Sequence, residues 1–233
     1  MNKTEYFADP RINASTLKLF AGRDFEPLIA LHKMQHGMKE SQSMALGTGL
    51  HEVMEVGIEA KFEAITAAYK TAGPRENAIE KAKAMAVSIW QKIPLDILMM
   101  IESGEKEKVV FSGEYKAMFD VLCNGVGIDY KTTSAESKSE FERDFFKYHY
   151  ELQDFHYRKV GKLGRMIYIV VSTSEPHPVW IYETTSTCRL YGKQQWEEAL
   201  DRYYKHKDQD LSTATAEIID MMEPNWAFSE EIE

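Results

Sequence analysis

The dipeptide Asn124-Gly125, set between two strand-like runs, constrains this chain more than any other feature. Asn-Gly favours a two-residue type I′ turn, in which both central residues take positive φ. The flanking runs, Tyr115 to Leu122 and Val126 to Lys131, read as strands. A two-residue turn fixes their register. Cys123 then opposes Val126, Leu122 opposes Gly127, Val121 opposes Ile128, Asp120 opposes Asp129 and Phe119 opposes Tyr130. One face receives Val121, Ile128, Phe119 and Tyr130, an apolar set suited to a core. The other sets Asp120 against Asp129, with Lys131 two residues on along the same face.

Like charges opposed on neighbouring strands are destabilising. A cation between them removes the conflict. A hard divalent ion such as Mg²⁺ suits the place, because it takes oxygen ligands and keeps several waters. A lysine beside it can orient or help deprotonate a metal-bound water and stabilise charge on a phosphorane. Asp120, Asp129 and Lys131 are therefore candidates for a phosphodiester-hydrolysing centre. The plainer alternative is a solvated hairpin face, since Asp and Lys are common at surfaces.

Around the hairpin the pattern is mostly helical. Residues 14–35 have helical spacing, with Asn13 or Ser15 as cap and a break near Gly22. A helix over about 46–60 turns Leu50, Val53, Met54 and Ile58 inward, and Pro74 opens a third that runs to about Lys92. After a strand at 109–111 and the hairpin, residues 138–160 return to helical spacing, with Phe141, Phe145, Tyr148 and Leu152 inward. Strands at 166–172 and 179–183 and a helix at 187–205 complete the order. It predicts an α/β (α+β) fold, a central mixed sheet flanked by helices. The domain reading is a unit over 1–206, with N-terminal helices at 12–60, a core at 107–205 and an acidic tail at 207–233.

Composition narrows the chemistry. Two cysteines, Cys123 and Cys188, exclude a four-cysteine metal site within one chain, and a reducing cytoplasm suits them as thiols. No apolar run approaches the roughly 20 residues that span a bilayer, so no membrane role is expected. The net charge of −9 opposes a sequence-independent coat for nucleic acid. It still allows DNA binding through a local basic surface, and bound metal reverses the sign of an acidic site.

Two further pairs stand out. His51 and Glu55 lie one turn apart on the second helix, entered through Gly47 and Gly49, which allow close approach of another backbone. His51 could contact a metal or phosphate. The alternative is an ordinary half-buried histidine. Gln153 and Tyr157 are likewise one turn apart and could hold a nucleotide strand. The alternative is a polar helix edge.

Taken together, Gly47-Thr-x-x-His51, Asp120, Ile128-Asp129-Tyr-Lys131-Thr-Thr and Gln153-x-x-x-Tyr157 resemble the RecE-type exonucleases of phages and prophages. These belong to the PD-(D/E)xK superfamily, with lambda exonuclease and RecB-like nucleases. Asn13-Ala-Ser-Thr-Leu-Lys18 is similar to the helix opening of that group. The superfamily's Pro before the first acid is absent, and Phe119 stands there. The resemblance implies a restriction-endonuclease-like core and Mg²⁺- or Mn²⁺-dependent degradation of linear double-stranded DNA from its ends, 5′ to 3′. It implies Asp120, Asp129, His51 and the Tyr130 carbonyl as metal ligands, Lys131 as catalytic, and Gln153, Tyr157 and Thr132 as substrate contacts. It also implies a ring-shaped homo-oligomer and a RecT-type annealing partner. Alternatives are a RecB-like endonuclease or end-processing nuclease, a non-catalytic DNA-binding protein on the same fold, and an acidic α/β protein that binds a small ligand.

Overall fold

In the computed structural model, which describes residues 3–23 and 25–210, the Asn124-Gly125 turn forms as type I′ requires, with φ of +48° and +78°. It joins β2 (Tyr115–Cys123) to β3 (Val126–Thr133) in the expected register: Cys123 pairs with Val126, Leu122 with Gly127 and Val121 with Ile128. The sheet has five strands in the order β1-β2-β3-β4-β5. β1 is Glu105–Ser112, β4 is Arg165–Ser172 and β5 is Val179–Tyr182. β3 and β4 are parallel and the other neighbours antiparallel, so the sheet is mixed.

β4 explains why helices cover both faces. Its run Met166 to Val171 is apolar throughout and buried throughout. Ile167, Ile169 and Val171 pack with Leu50 and Val53 of α4 (Gln42–Val56) and with Met85 and Ile89 of α6 (Ala72–Lys92). Met166, Tyr168 and Val170 pack on the other side with Phe141 and Phe145 of α8 (Lys138–Lys147) and Val160 of α9 (Tyr150–Gly161). Burying each such side chain stabilises the fold by roughly 1.5–3 kcal/mol. A third apolar cluster joins Leu17 of α2 (Ala14–Lys18) and Leu31 of α3 (Pro27–His36) to Leu152 of α9 and Trp196 of α10 (Ser186–His206). Three short helices, α1 (Lys3–Ala8), α5 (Glu63–Ala68) and α7 (Leu95–Ser103), complete the set among the described residues.

Some expectations hold and others are corrected. The break expected near Gly22, which takes φ +85°, divides the helical spacing over 14–35 into α2 and α3, and Asn13 is the cap, its side chain accepting the Thr16 N–H at 2.8 Å. α4 stops at Val56, where Gly57 takes φ +84°, so Ile58 lies beyond the helix and is exposed. The 138–160 helix breaks at Tyr148 and His149, the latter with φ +52°. That break resets the helical phase, and Tyr148 points to solvent rather than the core.

The largest correction concerns the hairpin itself. β2–β3 pairing ends at Val121 and Ile128, so Asp120 and Asp129 are not ladder partners. The apolar face divides at the same point: Val121, Ile128 and Tyr130 pack under α4 and α6, whereas Phe119 packs on the opposite side with Ala117 and Met166. On the other edge of β2, Lys106 pairs with Val121 and Lys108 with Phe119, while Glu107 between them has φ +49°. A left-handed non-glycine residue breaks regular pleating, and it does so across from Asp120. Among the described residues, no helix is long and apolar enough to cross a membrane. Of the tail at 207–233, all but residues 207–210 lies outside the described residues.

Candidate active site at the fork of the hairpin

The fork between β2 and β3 gathers the candidate side chains. In a continued ladder the Tyr130 N–H would bond Phe119. Here Asp120 Oδ2 accepts it at 2.7 Å, so a side chain stands in for the strand partner. Asp120 Oδ1 lies 3.2 Å from His51 Nδ1, and His51 Nε2 is 3.0 Å from the Tyr130 carbonyl. His51 reaches this point because α4 lies close on β3. A Cβ at Gly47 would stand 3.1 Å from Thr132 Oγ1, and one at Gly49 only 2.5 Å from Ile65 Cδ1. The two glycines thus admit side chains, not the neighbouring backbone expected from sequence.

Asp129 and Lys131 share the opposite face of β3, as strand alternation requires. They form an ion pair, and the Gln153 amide of α9 donates to Asp129 Oδ1 at 2.8 Å. Lys131 also lies over the Tyr150 ring, 4.9 Å from its centroid.

The charges are interdependent. Burial disfavours charge on every member. For His51 the Asp120 carboxylate outweighs burial and raises the pKa. Asp120 is lowered despite burial, by His51, Lys131 and the Tyr130 N–H. Burial pushes the Asp129 carboxyl up against the pull of Lys131, and Asp120 adds to the rise. Lys131 is held above its usual value against burial by Asp129, Tyr150 and Asp120. The result is an ammonium beside two acids.

One nitrogen and two oxygen ligand atoms, from His51, Asp120 and Glu107, lie within 4.8 Å of one another. That donor set suits a divalent ion that accepts imidazole and carboxylate. The Tyr130 carbonyl borders it through His51. Asp129, expected as a ligand, lies outside this group in the structure and is engaged by Lys131 and Gln153. Glu107 was missed from sequence. It sits in the charged run Glu105-Lys-Glu-Lys108, which reads as a solvated edge, and nothing local announces its left-handed backbone.

The remaining candidates are partly brought in. Gln153 is buried and turned onto Asp129. Tyr157 packs edge-on to Phe119 at 5.0 Å, and its hydroxyl feels Asp129, Asp120 and Glu107 after burial itself. Thr132 faces Gly47 on the α4 side.

A mixed sheet with acids and a lysine at the fork of its hairpin is the core of the PD-(D/E)xK fold. The chain belongs to the family described as PDDEXK-like domain of unknown function (DUF3799), which matches residues 13–225. Among solved structures it is similar to a "Putative exonuclease" from Eubacterium rectale, at 12% identity and a TM-score of 0.71, covering 100% of this chain and 99% of that one. It is also matched to a phage-related exonuclease from Haemophilus somnus 129PT, at 12% identity and a TM-score of 0.40, covering 84% and 94%. No curated protein matches the chain.

Proposed function

We propose that the protein is a Mg²⁺- or Mn²⁺-dependent deoxyribonuclease that degrades linear double-stranded DNA from its ends, 5′ to 3′, leaving 3′ single strands for recombination. The observation that carries the nuclease reading is the Asp129–Lys131 ion pair set beside the Asp120–His51 pair at the hairpin fork. His51, Asp120, Glu107 and the Tyr130 carbonyl would hold the ion, with Asp129 at its edge. Bound there, a divalent metal supplies an activated water and charge neutralisation at the phosphate. Lys131 brings an ammonium to the scissile phosphate, where its charge is worth most as the phosphorane forms. Gln153 fixes Asp129, and with it the place of Lys131. Tyr157 and Thr132 remain candidate strand contacts.

The polarity, the duplex substrate, a ring-shaped homo-oligomer and a RecT-type annealing partner rest on the resemblance to RecE-type enzymes; a cytoplasmic setting rests on the two cysteines as thiols, and a nuclease unit over 1–206 on the order of the predicted elements. The assay is direct. Linear and closed circular duplexes, labelled at 5′ or 3′ ends, are incubated with Mg²⁺, Mn²⁺ or EDTA. Metal-dependent loss of linear DNA alone, with early release of the 5′ label, is the expected outcome. Cutting of closed circles would instead identify an endonuclease, and no cleavage with any metal would leave a DNA-binding module.

A further inference from the structure

Lys18 is an ionisable side chain that the proposed chemistry leaves unused. Its position is set by pairing far from the hairpin turn. The Ile12 N–H bonds the Glu114 carbonyl, and the Lys116 N–H bonds that of Ile12, each at 2.9 Å. α2 therefore starts beside β2, and Leu17 and Phe20 pack with Leu152 and Trp196. Lys18 is delivered to α9. Its Nζ donates to Gln153 Oε1 at 2.5 Å and lies 4.3 Å from the Tyr150 centroid, the ring that Lys131 also approaches. Lysine has no acceptor, so the amide oxygen of Gln153 must face Lys18 and its NH₂ must face Asp129.

Two lysine amino groups thus share one tyrosine at the edge of the site. Lys18 hydrogen-bonds a neutral amide, with Asp129 and Glu151 as the carboxylates whose charge it feels; burial and then the charge of Lys131 push its pKa well down. A half-buried cation next to another is costly unless an anion joins it. Gln153 separates Lys18 from Asp129, so Lys18 stands one side chain further from the acids than Lys131 does.

We propose that Lys18 is a second cation of the active site, and that it binds the DNA phosphate adjacent to the scissile one. This rests on the nuclease reading above. The test uses duplexes carrying one neutral methylphosphonate linkage next to the cleaved one, on either side. Wild type should cut one of these at least about tenfold more slowly than natural DNA. Lys18→Met should be slow on natural DNA, chiefly through KM, and should show no further loss on that duplex. Lys18→Arg should restore most activity. In binding measured with Ca²⁺, the slope of log K against log salt should fall by about 0.9 in Lys18→Met, the loss of one phosphate contact.

An unchanged slope, or the full methylphosphonate penalty persisting in Lys18→Met, would overturn the proposal and leave Lys18 acting through Gln153. Lys18→Gln serves if the Met variant does not fold. A wild-type protein that binds duplex without cutting it sinks the nuclease reading alone, and the slope still decides Lys18. One that does not bind DNA sinks both.

Discussion

The Asp120 carboxylate accepts the Tyr130 backbone N–H at 2.7 Å, at the place where β2 and β3 stop pairing. This one contact opens the hairpin and turns its two acids into separate instruments. Asp120 faces His51 under α4, and Asp129 faces Lys131 and Gln153 under α9. Ladder pairing would have pressed both carboxylates together on one face. The fork instead gives them different partners while their charges still act on each other.

Lys131 is the group whose removal should separate binding from chemistry. Lys131→Ala is expected to cut the cleavage rate by about 10²–10³, the usual cost of one charge-stabilising group. Its circular dichroism should be native and its Mn²⁺ affinity close to wild type. A variant that cleaves at the wild-type rate would refute the assigned role.

Glu107 distinguishes the site seen in the structure from the one read in the sequence. Loss of an outer-shell partner already weakens metal sites by about 10–100-fold. Loss of a ligand should do at least as much. Mn²⁺ titration calorimetry is expected to show Glu107→Gln weakened at least about tenfold, comparable with Asp120→Ala. Affinity unchanged in Glu107→Gln would place the ion away from β1.

The hairpin turn, its register and the shared face of Asp129 and Lys131 were legible because Asn-Gly and strand alternation are local rules. The division of the apolar face at Asp120 was not, since it depends on a side chain replacing Phe119 as the partner of Tyr130. Glu107 was hidden for a similar reason: its φ of +49° belongs to the sheet, with no glycine or asparagine to signal it. In the sequence, Lys18 is only the last residue of the helix opening Asn13-Ala-Ser-Thr-Leu-Lys18. Its place at Gln153 depends on Ile12 pairing with β2, a contact between distant parts of the chain.

His156 predicts an acid-sensitive fold. The Trp196 indole N–H donates to Nδ1 at 3.1 Å, so Nδ1 is the acceptor, and Nε2 donates to the Lys116 carbonyl at 2.9 Å. The imidazole is therefore neutral, and burial pushes its pKa from 6.5 down to about 4. The unfolded chain binds this proton more readily. The contribution of His156 to stability is full above pH 6.5 and is lost as pH drops towards 4, by up to about 3 kcal/mol. Urea unfolding across that window should show the slope, and His156→Gln should flatten it. An identical slope in the variant would assign the acid sensitivity elsewhere.

Gly192 sets how closely α10 approaches α9, the helix that carries Gln153. Two effects of Gly192→Ala oppose each other. Alanine in a helix interior is better than glycine by about 1 kcal/mol. A Cβ here, however, would lie 2.2 Å from the Glu151 carbonyl oxygen and 2.7 Å from its carbon. Those atoms are backbone and cannot rotate away, so α9 and α10 must separate. Overpacking of this kind costs roughly 1–3 kcal/mol, at its upper end where backbone must move, and it outweighs the propensity gain. Gly192→Ala should lower the urea midpoint, and the shift of α9 should reduce cleavage further through Gln153. A urea midpoint raised by Gly192→Ala would mean that α9 and α10 are not held in close contact.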